Sequence, residues 1–161
     1  MAEIKPTEDD VELDQQQAEL AHRFFFRLYQ TINLTLRAAS KVLADVGMSP
    51  QQWSILDSLT RPGLEGGMTV NGLVDYLMVS RQSLNGVLKR MEEQGYIERV
   101  VNPKDLRSRV VRLTDQGKEV WRQAFKNTRR LYTESLKHMS DDDKRAAIAA
   151  FERIQKNVKK L

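Results

Sequence analysis

Apolar residues at spacings of three and four along the first third of the chain predict a long amphipathic helix. Its apolar positions are Leu28, Ile32, Leu36, Ala39, Leu43 and Val46. We expect the helix over residues 13–46, because Gly47 supplies a C-terminal stop. A new start signal follows, in which Ser49 is suited to cap a helix, Pro50 to occupy its first position and Gln52 to close a capping box.

The period of the pattern changes twice in the middle of the chain. The predicted elements are helices at residues 70–78 and 81–94, strands at 96–101 and 110–114, and a polar loop with an Asn-Pro turn at 102–109. Two more helices close the chain. One opens after Thr114 and runs to about Met139, and the other opens after Ser140.

Five apolar residues in the two middle helices have the spacing that a helix-turn-helix buries where its helices cross. They are Leu73, Leu77, Val79, Leu84 and Val87. Met78 stands where the simplest motifs of this kind have a turn glycine. Two ordinary packed helices would show the same spacing, so this pattern leaves both interpretations open.

The residues left facing outward on the second of these helices favour a helix-turn-helix. They are the hydrogen-bonding groups and cations that contact base edges and phosphates: Ser80, Arg81, Gln82, Ser83, Asn85, Lys89 and Arg90. Residues 81–89 contain no acid, whereas a solvated face usually alternates Glu with Lys. Gly86 costs about 1 kcal/mol relative to alanine inside a helix. It either permits close approach to a DNA backbone or relieves packing.

The predicted hairpin loop carries a second basic cluster. Its candidate DNA-contacting residues are Lys104, Asp105, Arg107, Ser108 and Arg109. We expect Asp105 to hold the Arg107 guanidinium, so that the arginine is preorganised for an electronegative minor groove. The alternative is a solvated surface ion pair. The adjacent basic helix favours the functional interpretation.

Composition and charge narrow the class of protein. The 161-residue chain has a net charge of +4, but its first 20 residues hold one Lys and seven Asp or Glu, so we interpret residues 1–12 as an acidic flexible tail. The chain has no Cys, two His and no catalytic motif, and we expect no catalytic residues, no metal and no cofactor. Without a long apolar run or a signal-like N-terminus, a cytoplasmic protein with no membrane contact is expected.

Residues 105–117 resemble the wing signature of the MarR family of bacterial transcriptional regulators, an Asp-x-Arg motif followed by a strand, Leu-Thr and Gly. Residues 47–53 are similar to the family's Gly-x-[Ser/Thr]-x-x-Gln-[Trp/Phe] motif. The resemblance implies a mainly α fold with a small β-hairpin wing. It places a winged helix-turn-helix DNA-binding lobe at residues 48–114 and a helical dimerisation region at 13–47 and 115–161.

The resemblance also implies a homodimer on a pseudopalindromic double-stranded DNA operator, released by a small anionic or phenolic ligand. The apolar stripes at the two ends of the chain support pairing, because a monomer would leave them exposed. The alternative is that both ends fold back onto the same core.

The first helix carries a basic stripe that is a candidate effector site. Arg23, Arg27 and Arg37 follow helical spacing, and Tyr29 and Trp53 are expected nearby. Cations beside aromatic rings would hold an aromatic carboxylate, by an ion pair at one end and stacking at the other. The family resemblance extends this expectation to a small aromatic acid or its coenzyme A thioester. A solvated charged face is the alternative.

The sequence therefore predicts a ligand-responsive homodimeric transcriptional regulator, with repression expected, and not an enzyme. The alternative is a winged-helix protein-interaction module without specific DNA binding. The two differ in whether the helix and wing cations bind duplex DNA with a sequence preference.

Overall fold

The computed structural model describes residues 8–64, 66–103 and 105–161, which form six α-helices and three strands. In chain order the elements are α1 (Glu8–Leu43), α2 (Pro50–Leu59), β1 (Met68–Thr69), α3 (Val70–Leu77), α4 (Arg81–Glu93), β2 (Ile97–Asn102), β3 (Asp105–Leu113), α5 (Asp115–Ser135) and α6 (Asp141–Val158). The mainly helical fold with a small β wing is the predicted one. Residues 1–7 of the predicted tail and Lys104 lie outside the described residues.

Helix α1 begins earlier than its apolar pattern predicted. Its first residue is Glu8, whereas the predicted start was residue 13, so the end of the predicted tail is helical. The residues before position 13 show no apolar period, so the pattern could not mark this earlier start. At the other end, a 3₁₀ turn (Ala44–Val46) leads into Gly47, whose φ of 64° confirms it as the stop.

The start of α2 is the predicted capping box. The Ser49 hydroxyl accepts a hydrogen bond from the Gln52 backbone N–H at 3.2 Å, and the Ser49 N–H donates to the Gln52 side chain at 2.9 Å. Pro50 occupies the first helical position. Because each of these contacts spans only three residues, the sequence pattern was sufficient to predict them.

Helices α3 and α4 form the predicted helix-turn-helix. Leu73, Leu84 and Val87 are buried, as expected from their spacing. Val79 is a correction, because 40% of it is exposed. Met78 adopts a left-handed conformation with φ of 53° at the turn between the helices, where simpler motifs have glycine.

The three strands form one antiparallel sheet in the order β1-β3-β2. Strand β1 was not predicted, because two residues are too few to show a period. The predicted polar loop is much shorter than expected, since Asn102 pairs with Asp105 across the hairpin. Residues 105–109 therefore belong to β3. Four of them are polar and the fifth, Leu106, is 77% exposed, because this end of the strand lies beyond the core. They therefore show no alternation of apolar and polar residues.

Helices α5 and α6 start at their predicted caps, Thr114 and Ser140. Helix α5 ends at Ser135, four residues before the predicted end. At its start, a Cβ added to Gly117 would collide with the carbonyl oxygen of Tyr96, so this position needs glycine for close packing. None of the helices in the described part of the chain is both long and apolar enough to cross a membrane.

The hydrophobic core lies where α2, α3, α4 and the sheet meet the C-terminal end of α1 and the middle of α5. Its largest fully buried apolar side chains are Leu43, Ile55, Leu56, Leu73, Leu88, Met91, Ile97 and Val111. The stripe of α1 is buried at Ala39 and Leu43 but about half exposed at Ile32 and Leu36. Helix α6 has no buried residue. The alternative that both ends fold back onto one core is therefore wrong for α6 and for the N-terminal part of α1.

Candidate nucleic-acid interface

A cleft of about 430 Å³ lies between the start of α3, the first turns of α4 and the wing formed by β2 and β3. It is lined by Thr69, Val70, Asn71, Arg81, Asn85, Asn102, Asp105, Arg107, Ser108 and Arg109. Six of these residues were predicted to contact DNA, two from α4 and four from the wing. The tertiary structure therefore brings the two predicted basic clusters to one surface, which we call the α4–wing cleft.

The first turn of α3 contributes residues to this cleft that the sequence analysis missed. The guanidinium of Arg81 donates a hydrogen bond to the side-chain oxygen of Asn71. The Thr69 hydroxyl accepts from the Gly72 N–H at 3.0 Å and caps the helix that carries Asn71. The Thr69 cap is the signal that could have placed Asn71 beside α4, because the first helix of a helix-turn-helix abuts the start of the second.

The outer face of α4 is polar and opposite the core. Leu84, Val87, Leu88 and Met91 hold the buried face, so a period of 3.6 residues places Gln82, Gly86 and Lys89 furthest from it. Gln82, Lys89 and Arg90 are exposed and lie outside the α4–wing cleft. Lys89 lies 3.9 Å from Glu93, a long and exposed pair that contributes little to stability.

The two serines at the start of α4 have other contacts. The Ser80 hydroxyl accepts from the Ser83 N–H at 3.1 Å and caps the helix. Ser83 lines a separate groove of about 140 Å³ with Gln51 and Ile55 of α2. Both serines were predicted to contact DNA, and this stays a prediction.

Gly86 lies in open space on the outer face of α4. A Cβ added to it would meet no heavy atom within 4 Å. Relief of packing within the described chain therefore does not explain this glycine. Close approach of a ligand backbone, the other interpretation, is compatible with the exposed position.

Asp105 orders the backbone of the wing. Its carboxylate accepts a hydrogen bond from the Arg107 backbone N–H at 3.1 Å, and its carbonyl oxygen accepts one from the Ser108 hydroxyl at 3.0 Å. The Asn102 side chain donates to the same hydroxyl at 2.8 Å. This differs from the expectation that Asp105 holds the Arg107 guanidinium, because no ion pair joins those two side chains among the described residues. Spacing alone predicted the contact but not which part of the arginine makes it.

Charge in the α4–wing cleft is predominantly positive. Arg81, Arg107 and Arg109 line it, and Asp105 is the one carboxylate among the described lining residues. Lys104, also predicted to contact DNA, lies outside the described residues. A concave surface with an excess of fixed cations attracts the phosphate backbone of nucleic acid.

Comparison with known proteins agrees with this geometry. The sequence profile of the MarR family matches residues 46–108. The transcriptional activatory protein BadR of Rhodopseudomonas palustris is 40% identical over 144 residues, which cover 89% of this chain and 82% of BadR. The chain belongs to the MarR family.

Solved structures of MarR-family regulators share its fold. AbfR of Staphylococcus epidermidis superposes with a TM-score of 0.78 at 22% identity, covering 92% of this chain and 99% of AbfR. A mutant MarR from E. coli, in complex with operator DNA, superposes with a TM-score of 0.65 at 26% identity, covering 82% of this chain and 91% of that one. The chain is thus a MarR-family transcriptional regulator of the DNA-binding kind.

The structure does not unite the predicted effector residues of this MarR-family chain. Trp53 is 4% exposed, and its indole N–H donates to the Tyr132 hydroxyl at 3.1 Å. Its ring also stacks on Trp121 of α5, with centroids 6.5 Å apart. Arg23, Arg27, Arg37 and Tyr29 are exposed on α1. Trp53 therefore packs against α5, a contact with residues about 70 to 80 positions away that the sequence pattern could not show.

Within the described residues of this MarR-family chain, no three His, Asp or Glu side chains form a group that could hold a metal ion. The acidic residues at the start of α6 have local partners. Asp143 completes the cap at Ser140, while Asp141 and Asp142 pair with Lys144 and Arg145, each at 3.0 Å.

Proposed function

We propose that this chain is a homodimeric, ligand-responsive regulator that binds a pseudopalindromic operator. The observation that carries the proposal is the α4–wing cleft, which combines Arg81 and Asn85 of the helix with Arg107 and Arg109 of the wing. In this proposal the start of α4 enters the major groove, where asparagine and arginine side chains contact base edges. The wing arginines enter the adjacent minor groove.

The homodimer part of the proposal rests on apolar surface. Helices α1, α5 and α6 expose large apolar side chains, among them Phe25, Tyr132, Ile148 and Phe151. Only the C-terminal end of α1 and the middle of α5 contribute to the core, so a second copy of the chain would cover the apolar surface of these helices that is still exposed. A two-fold dimer presents two α4 helices, which would read half-sites about 34–36 Å apart.

The direction of regulation has two candidates. Repression is the expectation from the sequence, because a dimer on an operator blocks access of other proteins to the same DNA. Activation is favoured by the similarity to BadR, a transcriptional activatory protein that is 40% identical to this chain. A reporter gene placed behind the selected operator separates them, since deletion of the regulator raises expression under repression and lowers it under activation.

The effector is proposed to be a small anionic molecule, an aromatic acid or its coenzyme A thioester. A cytoplasmic location follows from the same proposal, because a regulator of transcription must reach chromosomal DNA.

The test of operator binding is selection of bound duplexes from a random pool. We expect a pseudopalindromic winner, and an affinity that falls steeply with salt, because the cationic contacts release counterions from the phosphates. Affinity for the winner no greater than for random duplex would favour the protein-interaction module instead. An affinity independent of salt would also contradict the proposed contacts.

A further inference from the structure

A second cleft lies behind the wing, between the loop that follows α2 (described at residues 60–64 and 66–67), the end of β3 and the start of α5. It has a volume of about 500 Å³ and is lined by Leu59, Thr60, Arg61, Leu64, Gly67, Arg112, Leu113 and Lys118. Alternate residues of a strand point to opposite faces, so Arg112 faces away from Arg107 and Arg109. The two clefts share none of their described lining residues. The second cleft is therefore distinct from the α4–wing cleft, although a further cavity borders both, at Thr69 and Asn102 of the first and at Gly67 and Arg112 of the second.

Two arginines of this cleft hold charge that the described chain does not neutralise. The Arg61 guanidinium lies over the Tyr76 ring, 5.2 Å from its centroid, a contact that orients the cation without removing its charge. Arg112 Nε donates to the Gly66 carbonyl oxygen at 2.8 Å, and none of the hydrogen bonds among the described residues uses its Nη groups. Neither guanidinium has an ion-pair partner among the described carboxylates.

The remaining wall of the cleft is apolar. Leu59 is buried, and Leu64 and Leu113 are half-buried. Lys118 adds a third cation, although it is paired with Asp115 at 2.8 Å. A pocket with apolar walls and a few fixed charges is typical of small-molecule sites, whose volumes are about 300–1,000 Å³. A ligand that satisfies both parts of this pocket has an anionic end and an apolar body.

We propose that this cleft binds a small carboxylate with an apolar body. The carboxylate lies between Arg61 and Arg112, whose planar guanidinium groups match its two oxygens, and the body packs against the leucines. The role of this cleft as an effector site rests on the ligand response proposed above. The site is placed to influence DNA binding because β3 carries Arg112 on one face and Arg107 and Arg109 on the other.

The experiment is calorimetric titration of the DNA-free protein with 2-naphthoate. Its neutral isostere 2-naphthamide tests the need for charge, and acetate tests the need for an apolar body. We expect 2-naphthoate to bind saturably. The affinities for 2-naphthamide and for acetate should each be lower by about tenfold or more. Arg61→Met and Arg112→Met should each lower the affinity for 2-naphthoate by about tenfold. Arg130→Met removes an exposed cation of α5 outside the cleft and should change the affinity less than about twofold.

Thermal melting controls for folding, because Arg112 also bonds Gly66 of the loop that follows α2. Among the described contacts, no hydrogen bond joins the Arg61 side chain to this loop, and Arg61→Met keeps the backbone bond from Leu64 N–H to the Arg61 carbonyl oxygen, so this variant tests the charge with less effect on the loop. Equal affinity for naphthoate and naphthamide, no saturable binding up to millimolar ligand, or unchanged affinity in Arg61→Met would overturn the proposal. So would variants that weaken operator binding but not naphthoate binding, which would assign the cleft to DNA phosphates. Since no DNA is present in the titration, a negative result leaves the operator proposal intact.

Discussion

Asp105 and Arg107 stand two residues apart on β3, and the hydrogen bond between them joins a carboxylate to a backbone N–H. The carboxylate therefore shapes the wing backbone and leaves the guanidinium of Arg107 available for DNA. Substituting the aspartate therefore has two opposing effects on operator affinity. Its negative charge opposes DNA binding, whereas its hydrogen bond favours the binding geometry.

We expect Arg107→Ala to lower operator affinity by about 1–3 kcal/mol, the value of a good side-chain contact in a groove. Asp105→Ala should also weaken binding, because the loss of wing geometry outweighs the removal of one negative charge. Fluorescence anisotropy at fixed salt measures both effects.

Asp105→Asn is the matched control for this pair. Asparagine keeps a side-chain oxygen that can accept the Arg107 N–H but removes the charge, so it should bind the operator better than Asp105→Ala. Both variants should melt close to the parent, since one exposed hydrogen bond contributes about 1 kcal/mol. Tighter binding by Asp105→Ala at unchanged stability would mean that the wing acts only as diffuse positive charge.

Gly86→Ala separates stability from DNA binding at a single position. The added Cβ meets no heavy atom of the protein within 4 Å, and alanine is favoured over glycine in a helix by about 1 kcal/mol. The variant should therefore be more stable by roughly that amount. It should also bind the operator more weakly if α4 approaches the DNA closely at this point. Chemical denaturation and anisotropy test the two parts, and unchanged operator affinity would exclude close approach.

At the scale of elements, the helix starts of this chain are set by hydrogen bonds between residues close in sequence. At the start of α6, the Ser140 hydroxyl and backbone N–H donate to the Asp143 carboxylate at 2.7 and 2.9 Å. These bonds hold the pKa of Asp143 below its ordinary value. A carboxyl group whose pKa is lowered by folding stabilises the folded state above its unfolded pKa, and that contribution is lost as the pH falls through the folded pKa.

Ser140→Ala should raise the pKa of Asp143 towards its ordinary value of 3.8, because the hydroxyl is the larger cause of the shift. It should also destabilise α6, since loss of a serine cap typically costs about 1 kcal/mol. NMR titration of the Asp143 carboxyl measures the first effect. Ser54→Ala is the control, because the Ser54 hydroxyl bonds a backbone carbonyl of α2. An unchanged pKa in Ser140→Ala would contradict the assigned cause.

At the scale of the whole molecule, α6 adds no buried residue to the lobe, and its large apolar side chains Ile148, Phe151 and Val158 are exposed. We expect the 18.6 kDa chain to sediment as a dimer at micromolar concentration. Phe151→Glu should shift the mass towards the monomer, because it places a charge in the apolar stripe.

Ala149→Glu introduces the same side chain on the opposite face of α6 and should leave the dimer intact. Sedimentation velocity of the three proteins makes the comparison. A parent protein that sediments at 18.6 kDa, or an Ala149→Glu variant that dissociates as readily as Phe151→Glu, would refute the proposed surface.

Helix starts and stops were predictable from the sequence because their causes are local. The cap at Ser49, the stop at Gly47 and the cap at Thr114 each depend on residues within four positions. The wing was predictable as a hairpin, but its polar end was not predictable as strand. Strand patterns arise from burial of one face, and residues 105–109 lie beyond the core.

The sequence alone determined the helical fold, the family and the two basic segments, because periodicity, caps and the wing signature are carried by neighbouring residues. Only the tertiary structure decided which apolar positions are buried, since burial depends on what packs opposite. It buries Leu43 but leaves Leu36 half exposed on the same helix. It also placed Arg81 beside Arg107 in one cleft and Trp53 against Trp121 instead of the basic stripe. These contacts join residues far apart in the chain, whose meeting is set by how the helices and the sheet pack together.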